Sequence, residues 1–389
     1  MKKIVGIIAA AALATSAFAE VNVSSWNRAV FEPIHYDGDT LRSETGASWG
    51  VGDAGSIRSG LSFGASTENA GIAIDLNAEP NPATGDNALV WVKPVDMLTV
   101  KIGVINNTLG RLDHCFGTWD LSRFRDDVPV SVGEGLAGVD RIRSAKGFEV
   151  TLEPVEGLII DYNANFNKNS TDNHTYSVMW ENASTLVGYK ADFGFIRAII
   201  NGATADKYSV EDTDTKPAAV IAVAADITAV ENLTLKVGAS IPTLLKKKTS
   251  AIKIGAGADY NLDALTLHAQ TELAIRAKKI TKTVGDDVDC DLGAFTAYVG
   301  AGVDYAFNDA WKLITDVRFN TYTKQTAETD GNYKYEDPAF GAYIGLRQQL
   351  SNATFDFGAQ FGKRALRNQA AAKADDFAFA VPLTITASF

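Results

Sequence analysis

Apolar and polar residues alternate along most of this chain. At its end, Phe377, Phe379, Val381, Leu383, Ile385 and Phe389 fall on one side of an extended segment, and Asp376, Ala378, Ala380, Thr384 and Ser388 fall on the other. The same period of two recurs upstream. In 310–322 Trp311, Leu313, Val317 and Phe319 oppose Lys312, Asp316, Arg318 and Asn320. In 264–277 Leu265, Leu267, Ala269, Leu273 and Ile275 oppose Thr266, His268, Gln270, Glu272 and Arg276. A period of two belongs to a β-strand with one apolar and one polar face. Eighteen such strands are predicted: 20–31, 55–65, 70–77, 87–93, 97–105, 147–153, 157–166, 174–189, 194–201, 217–226, 232–240, 250–260, 264–277, 291–306, 310–322, 338–349, 352–363 and 376–389.

The connections alternate in length. Short ones at 66–69, 94–96, 154–156, 227–231, 307–309 and 350–351 separate longer ones at 32–54, 78–86, 106–146, 202–216, 278–290, 323–337 and 364–375. Asn261-Leu262-Asp263, Asn308-Asp309 and Ser351-Asn352 carry turn chemistry between alternating runs, as hairpins do. Short turns at one end, long loops at the other and an even strand count define a membrane-spanning barrel. A soluble β-sandwich gives no reason for that parity. The expected fold is all-β: a transmembrane antiparallel up-and-down β-barrel of about 18 strands, with 16 the next choice. Backbone groups in lipid must be paired, so the sheet has to close. At this strand number the interior is too wide for side chains to fill. The polar face therefore lines a wet lumen or a plug.

The first residues set the compartment. Lys2 and Lys3, the apolar run Ile4–Ala14 and the A-x-A pattern at Ala17–Ala19 read as a secretory signal peptide over 1–19, leaving 20–389 as a single barrel domain. Past that leader no run of 18 apolar residues suggests a spanning helix. Two cysteines, Cys115 and Cys290, are too few for a disulfide framework, though one bridge between loops stays open. The net charge of −11 speaks against nucleic acid as a partner. Much of it falls in predicted outer loops, at Glu211, Asp212 and Asp214 and at Asp286, Asp287 and Asp289.

The long connection 106–146 carries both signs of charge. Arg111, Asp113, His114, Arg123, Arg125, Asp126, Asp127, Glu134, Asp140, Arg141 and Arg143 all lie in it. Folded into the barrel, such a loop would narrow it, and rows of charged side chains would set a size and charge preference. The expected pore-lining set is Arg111, Asp113, Arg123, Arg125, Asp126, Asp127, Glu134, Arg141 and Arg143, with Arg58, Lys101, Arg276, Arg318, Asp316 and Glu272 from the strands. The strand charges are mixed in sign, which predicts weak charge selectivity. Other patterns carry no chemistry. Gly60–Gly64 matches G-x-S-x-G but continues an alternating strand, whereas a nucleophile elbow needs a helix after the turn. Gly133–Gly138 matches G-x-G-x-x-G without a βαβ unit around it. His35, His114, His174 and His268 show no metal-ligand spacing. No catalytic constellation, cofactor or metal is expected.

In its alternation, leader, long third outer loop and terminal phenylalanine, the chain resembles outer-membrane porins over its whole length. One stretch, Trp91-Val92-Lys93-Pro94 through Lys101-Ile102-Gly103-Val104 and then Leu109-Gly110-Arg111-Leu112, is similar to a recurring segment of spirochaete porin-like proteins. The resemblance implies an outer-membrane location among outer-membrane lipids, passive diffusion of small hydrophilic solutes and ions, and a homotrimer. It also implies a barrel of 16 strands for general porins or 18 for sugar channels, which would display aromatic residues along the lumen. Trp119, Phe116, Phe124, Tyr298 and Tyr343 are the candidates for such a row. The alternative function is a structural or adhesive barrel with a plugged lumen.

Overall fold

The structure, a computed structural model, describes residues 20–44, 57–77, 83–116, 123, 130–131, 135–139, 142–165, 183–201, 220–242, 251–284, 287–366 and 375–389. The expected leader 1–19 and the loop charges Glu211, Asp212, Asp214 and Asp286 lie outside these residues. The strands begin with β1 (Glu20–Tyr36), β2 (Leu41–Glu44), β3 (Ile57–Ser66), β4 (Ala70–Asn77), β5 (Ala83–Val95) and β6 (Leu98–Asn107). Among the described residues, one 3-10 turn, Leu136–Gly138, separates them from β7 (Ile142–Leu152), β8 (Leu158–Asn165), β9 (Ala183–Ala191), β10 (Gly194–Asn201), β11 (Val220–Val230) and β12 (Leu233–Pro242). Then follow β13 (Ala251–Leu262), β14 (Leu265–Val284), β15 (Asp287–Asn308), β16 (Trp311–Asn320), β17 (Lys324–Ala327) and β18 (Tyr333–Glu336). The last three are β19 (Ala339–Gln349), β20 (Ala353–Lys363) and β21 (Phe377–Ser388).

Eighteen of these strands close an antiparallel barrel. β1 pairs with β3, each later strand pairs with the next, and β21 returns to β1 with Trp26 opposite Ser388 and Tyr36 opposite Phe379. Ser25 and the final residue, Phe389, exchange two backbone hydrogen bonds of 2.7 and 2.9 Å. Closure leaves no barrel edge unpaired, as a lipid environment requires. β2 pairs with the far end of β1, beyond its contact with β3, so both short strands share one edge of β1. β17 and β18 form a separate hairpin.

Pro33 shapes β1. It has no N–H for the ladder, and the register shifts there against both β2 and β21. In a regular strand, residues three apart face opposite ways. The bulge turns Glu32 and His35 to the same side, where both are buried and His35 Nδ1 lies 2.5 Å from Glu32 Oε2.

The two faces of the barrel separate as the alternation predicts. Ile196, Ile200, Ile221, Val223, Ile254, Leu273, Val317 and Ile344 stand exposed on the outside. Arg197, Ser240, Gln270, Glu272, Asp316 and Arg318 lie buried on the inside. The short turns gather at one end. Asn232 and Asp263 take left-handed backbone (φ 61° and 47°) in two of them, a conformation these residues tolerate. Asn308 Oδ1 accepts from the backbone N–H of Ala310 and Trp311 at 2.9 and 3.0 Å, an Asx turn.

Two differences from the sequence reading stand out. The interval 278–290 is predicted as a loop, yet β14 runs on to Val284 and β15 begins at Asp287. The ladder continues through three register irregularities, with Lys279 opposite Asp291 and Lys282 opposite Asp289. Lys278, Lys279, Lys282, Asp287 and Asp289 interrupt any apolar side in this interval, so alternation does not mark it as strand. The strand predicted over 174–189 is described as β9, one strand between β8 and β10, and 174–182 lies outside the described residues.

Candidate functional site in the barrel lumen

The segment that follows β6 lies against the inner wall. Leu112 N–H donates to Val139 O (3.1 Å) and Leu136 N–H to Leu112 O (3.0 Å), so its stretches Thr108–Phe116 and Gly135–Val139 bond to each other. Leu112, Leu136, Ala137 and Val139 form an apolar cluster with the inward residues Ile159 (β8), Leu186 (β9), Ile199 (β10), Ala222 and Ala224 (β11). This buries apolar surface that would otherwise face a wet lumen.

Inward glycines make the space. A Cβ on Gly238 would come within 2.6 Å of Leu112 Cδ2, and one on Gly255 within 2.8 Å of Leu136 Cγ. On Gly257 it would meet Cys115 Sγ at 2.5 Å, and on Gly302 Phe116 Cε1 at 2.5 Å. Gly238 faces Gly255 across β12 and β13, while Gly257, Gln270 and Gly300 lie in register across β13, β14 and β15. The bare backbone of three strands is the seat of the segment.

Polar anchors fix it there. Arg197, buried on β10, donates from Nε to Gly110 O (3.2 Å), from Nη2 to Arg111 O, and from Nη1 to Asp226 Oδ2 (2.6 Å). Cys115 N–H donates to Gln270 Oε1 at 2.9 Å, and Gln270 Nε2 in turn to Tyr298 Oη at 2.8 Å. Lys236 Nζ reaches His114 O at 3.1 Å and Ser240 Oγ reaches Ala137 O at 2.6 Å. Sequence reasoning passed over Arg197 and these glycines. The signals were a single charge in the apolar run Phe195–Ile200 and glycines recurring on the inward side of adjacent strands.

Of the expected pore-lining residues, the structure describes eight side chains. Arg111 is buried with its Nε 2.8 Å from Asp113 Oδ1, and Asp113 is exposed. Arg123 pairs with Asp304 and lies over the Phe116 ring, 5.5 Å from its centroid. Arg318 lies over the same ring at 5.2 Å, pairs with Asp316 at 2.6 Å and donates to Ser131 Oγ at 3.2 Å. Lys101 pairs with Glu149 at 2.5 Å, and Asn107 Nδ2 bridges Glu149 and Asp161 at 2.9 and 3.1 Å. Glu272 pairs with Lys253 at 3.2 Å, and Arg276 Nε donates to Thr296 Oγ1 at 2.9 Å. Arg58 and Arg143 are described in their backbone alone, opposite Arg28 and Asn106. Arg125, Asp126, Asp127, Glu134 and Arg141 lie outside the described residues.

Most of these charges stand in adjacent opposite-sign pairs along the wall. Lys236 with Asp259 (3.4 Å) and Arg347 with Asp356 (2.8 Å) complete the pattern. Pairing offsets the cost of holding each charge away from bulk water. The candidate aromatic residues do not line an open path: Phe116, Tyr298 and Tyr343 are 4%, 2% and 2% exposed, and Trp119 and Phe124 lie outside the described residues. Cys115 and Cys290 are both buried and form no disulfide with each other. Burial, with the Asp259 carboxylate beside it, pushes the Cys115 thiol up to about 12. Gly60–Gly64 lies within the paired strand β3.

No family model matches the chain, and no curated protein does. The solved structures it matches include OpdK, an outer-membrane protein of Pseudomonas aeruginosa, at 11% identity and a TM-score of 0.52, over 95% of this chain and 98% of that one. OpdK solved with vanillate matches at 10% identity and 0.52, over the same shares. A porin refined at 1.8 Å matches at 14% identity and 0.49, over 95% and 100%. The match to OpdK shows that the chain shares its fold, over 95% of its length, with an outer-membrane protein.

Proposed function

We propose that the chain is an outer-membrane porin, a water-filled channel for passive diffusion of small hydrophilic solutes and ions. The observation that carries this is the contrast between the two barrel faces. An apolar exterior suits lipid, and a wall of charged pairs such as Asp316 with Arg318 and Arg347 with Asp356 suits water. The segment seated on β10–β15 is the constriction in this reading, with Arg111, Asp113 and Arg123 on the segment and Lys101, Glu272, Arg276, Asp316 and Arg318 on the wall. It performs no chemistry; it sets which solutes pass.

Single-channel recording of the refolded mature protein in a planar bilayer tests this. Stepwise, long-lived openings are expected. Silence from a protein shown to be folded and inserted would overturn the channel reading and favour a structural or adhesive barrel with a plugged lumen.

A further inference from the structure

Among the inward cations, Arg276 differs from most. Lys101, Arg197, Lys236, Lys253, Arg318 and Arg347 each have a carboxylate within ion-pair distance. Arg276 has none among the described residues. Its Nε is held by Thr296 Oγ1 at 2.9 Å and its guanidinium lies over the Tyr322 ring, 4.6 Å from the centroid. The two Nη groups have no acceptor among the described residues, so the part of the fork that grips a carboxylate is left over.

Arg276 opens onto a cavity of about 180 Å³ whose lining includes Lys253, Glu272, Thr296, Tyr322 and Ser131 of the lumen segment. That is room for about six waters, or for a solute of a few heavy atoms more. Glu272 lies on the same face of β14, four residues earlier, about 13 Å away between Cα atoms. It is 3% exposed, and Lys253 Nζ sits 3.2 Å from its Oε1. Its Oε2 is buried and has no hydrogen-bond partner among the described residues. A buried carboxylate oxygen left unmatched is costly and calls for a donor.

The charges choose the ligand. Among the described lining residues, Lys253 and Glu272 offset each other and Arg276 leaves one excess positive charge. A monoanion balances it and a zwitterion does not. The donor for Glu272 Oε2 must be neutral, because Lys253 stands beside that carboxylate and disfavours a second ammonium. We infer that this cavity is a subsite for a small hydroxycarboxylate monoanion, its carboxylate on Arg276 and a hydroxyl donated to Glu272. The inference rests on the channel reading and names a solute class for it. A site in a pore must also release its solute, so the affinity belongs in the millimolar range.

The test is block of single-channel current by glycerate, with acetate, glycerol and serine as comparators, in the wild type and in R276Q and E272Q. Glycerate is expected to reduce the wild-type current at concentrations where the comparators do not. R276Q is expected to weaken that block about tenfold or more. E272Q is expected to erase the preference for glycerate over acetate. Equal block in wild type and R276Q, or no preference among the four solutes, would overturn the inference. If the barrel carries no current, the channel reading fails separately. Equilibrium dialysis of labelled glycerate against the refolded barrel then decides the site, with binding lost in R276Q upholding it and no binding refuting it. Should R276Q not fold, E272Q decides by the loss or retention of the glycerate-over-acetate preference.

Discussion

At the scale of single residues, absence of a side chain matters as much as its chemistry. Gly257 leaves room for Cys115, and a Cβ there would come within 2.5 Å of the sulfur. Gly257→Val should therefore cost about 1–3 kcal/mol of overpacking and lower the thermal midpoint of the refolded barrel. Gly64→Ala, whose Cβ would meet only Ile72 O at 3.8 Å, is the control expected to change little. The same fit hides the thiol. Thiolate is the reactive form, and burial pushes the Cys115 thiol up to about 12. At pH 8 a maleimide should leave Cys115 unlabelled in the folded barrel and label it after denaturation, as read by mass spectrometry of the peptide. Labelling of the folded protein at pH 8 would show that the segment leaves the wall. The inward charges were legible in the sequence because alternation assigns Asp316 and Arg318 a face. Their pairing was not, since which opposite charge lies beside which depends on register between strands.

At the scale of elements, the strand order was legible and the seating of the segment was not. Alternation and turn residues such as Asn308 mark each barrel strand locally, so eighteen strands and their antiparallel order follow from the chain itself. The seat needs contacts between residues far apart in sequence: Gly110 and Arg111 with Arg197, Cys115 with Gln270. No local pattern encodes these. The segment's docking should depend on Arg197, which ties two of its carbonyls to Asp226 on β11. Arg197→Ala would leave Asp226 and both carbonyls short of a donor, at a cost of about 1–3 kcal/mol. The expected outcome is a lower thermal midpoint and, in bilayers, brief current fluctuations absent from the wild type. Arg197→Lys should rescue only in part, because a single ammonium cannot reproduce the planar fork. An unchanged midpoint and quiet current in Arg197→Ala would show that the apolar cluster around Leu112 and Leu136 suffices.

At the scale of the whole molecule, closure and charge balance decide behaviour together. β21 must pair with β1 for lipid to be tolerated, and the pairing of Ser25 with Phe389 completes that seam at the last residue. Inside, opposite charges stand side by side on the wall, so their fields largely cancel a short distance into the lumen, and salt screens what remains. Segregated rows of one sign would have selected strongly. Adjacent pairs should not. Reversal potentials under a salt gradient should therefore give a cation-to-anion permeability ratio within about threefold of unity. Unpairing one site should move it in a known direction. Arg347 holds Asp356 through two contacts of 2.8 Å, from Nε and Nη2. Arg347→Gln removes one positive charge from the wall beside Asp356, so selectivity should shift toward cations, more at low ionic strength than at high. A strong preference in the wild type, or a shift toward anions in Arg347→Gln, would mean that charges outside the described wall dominate the field.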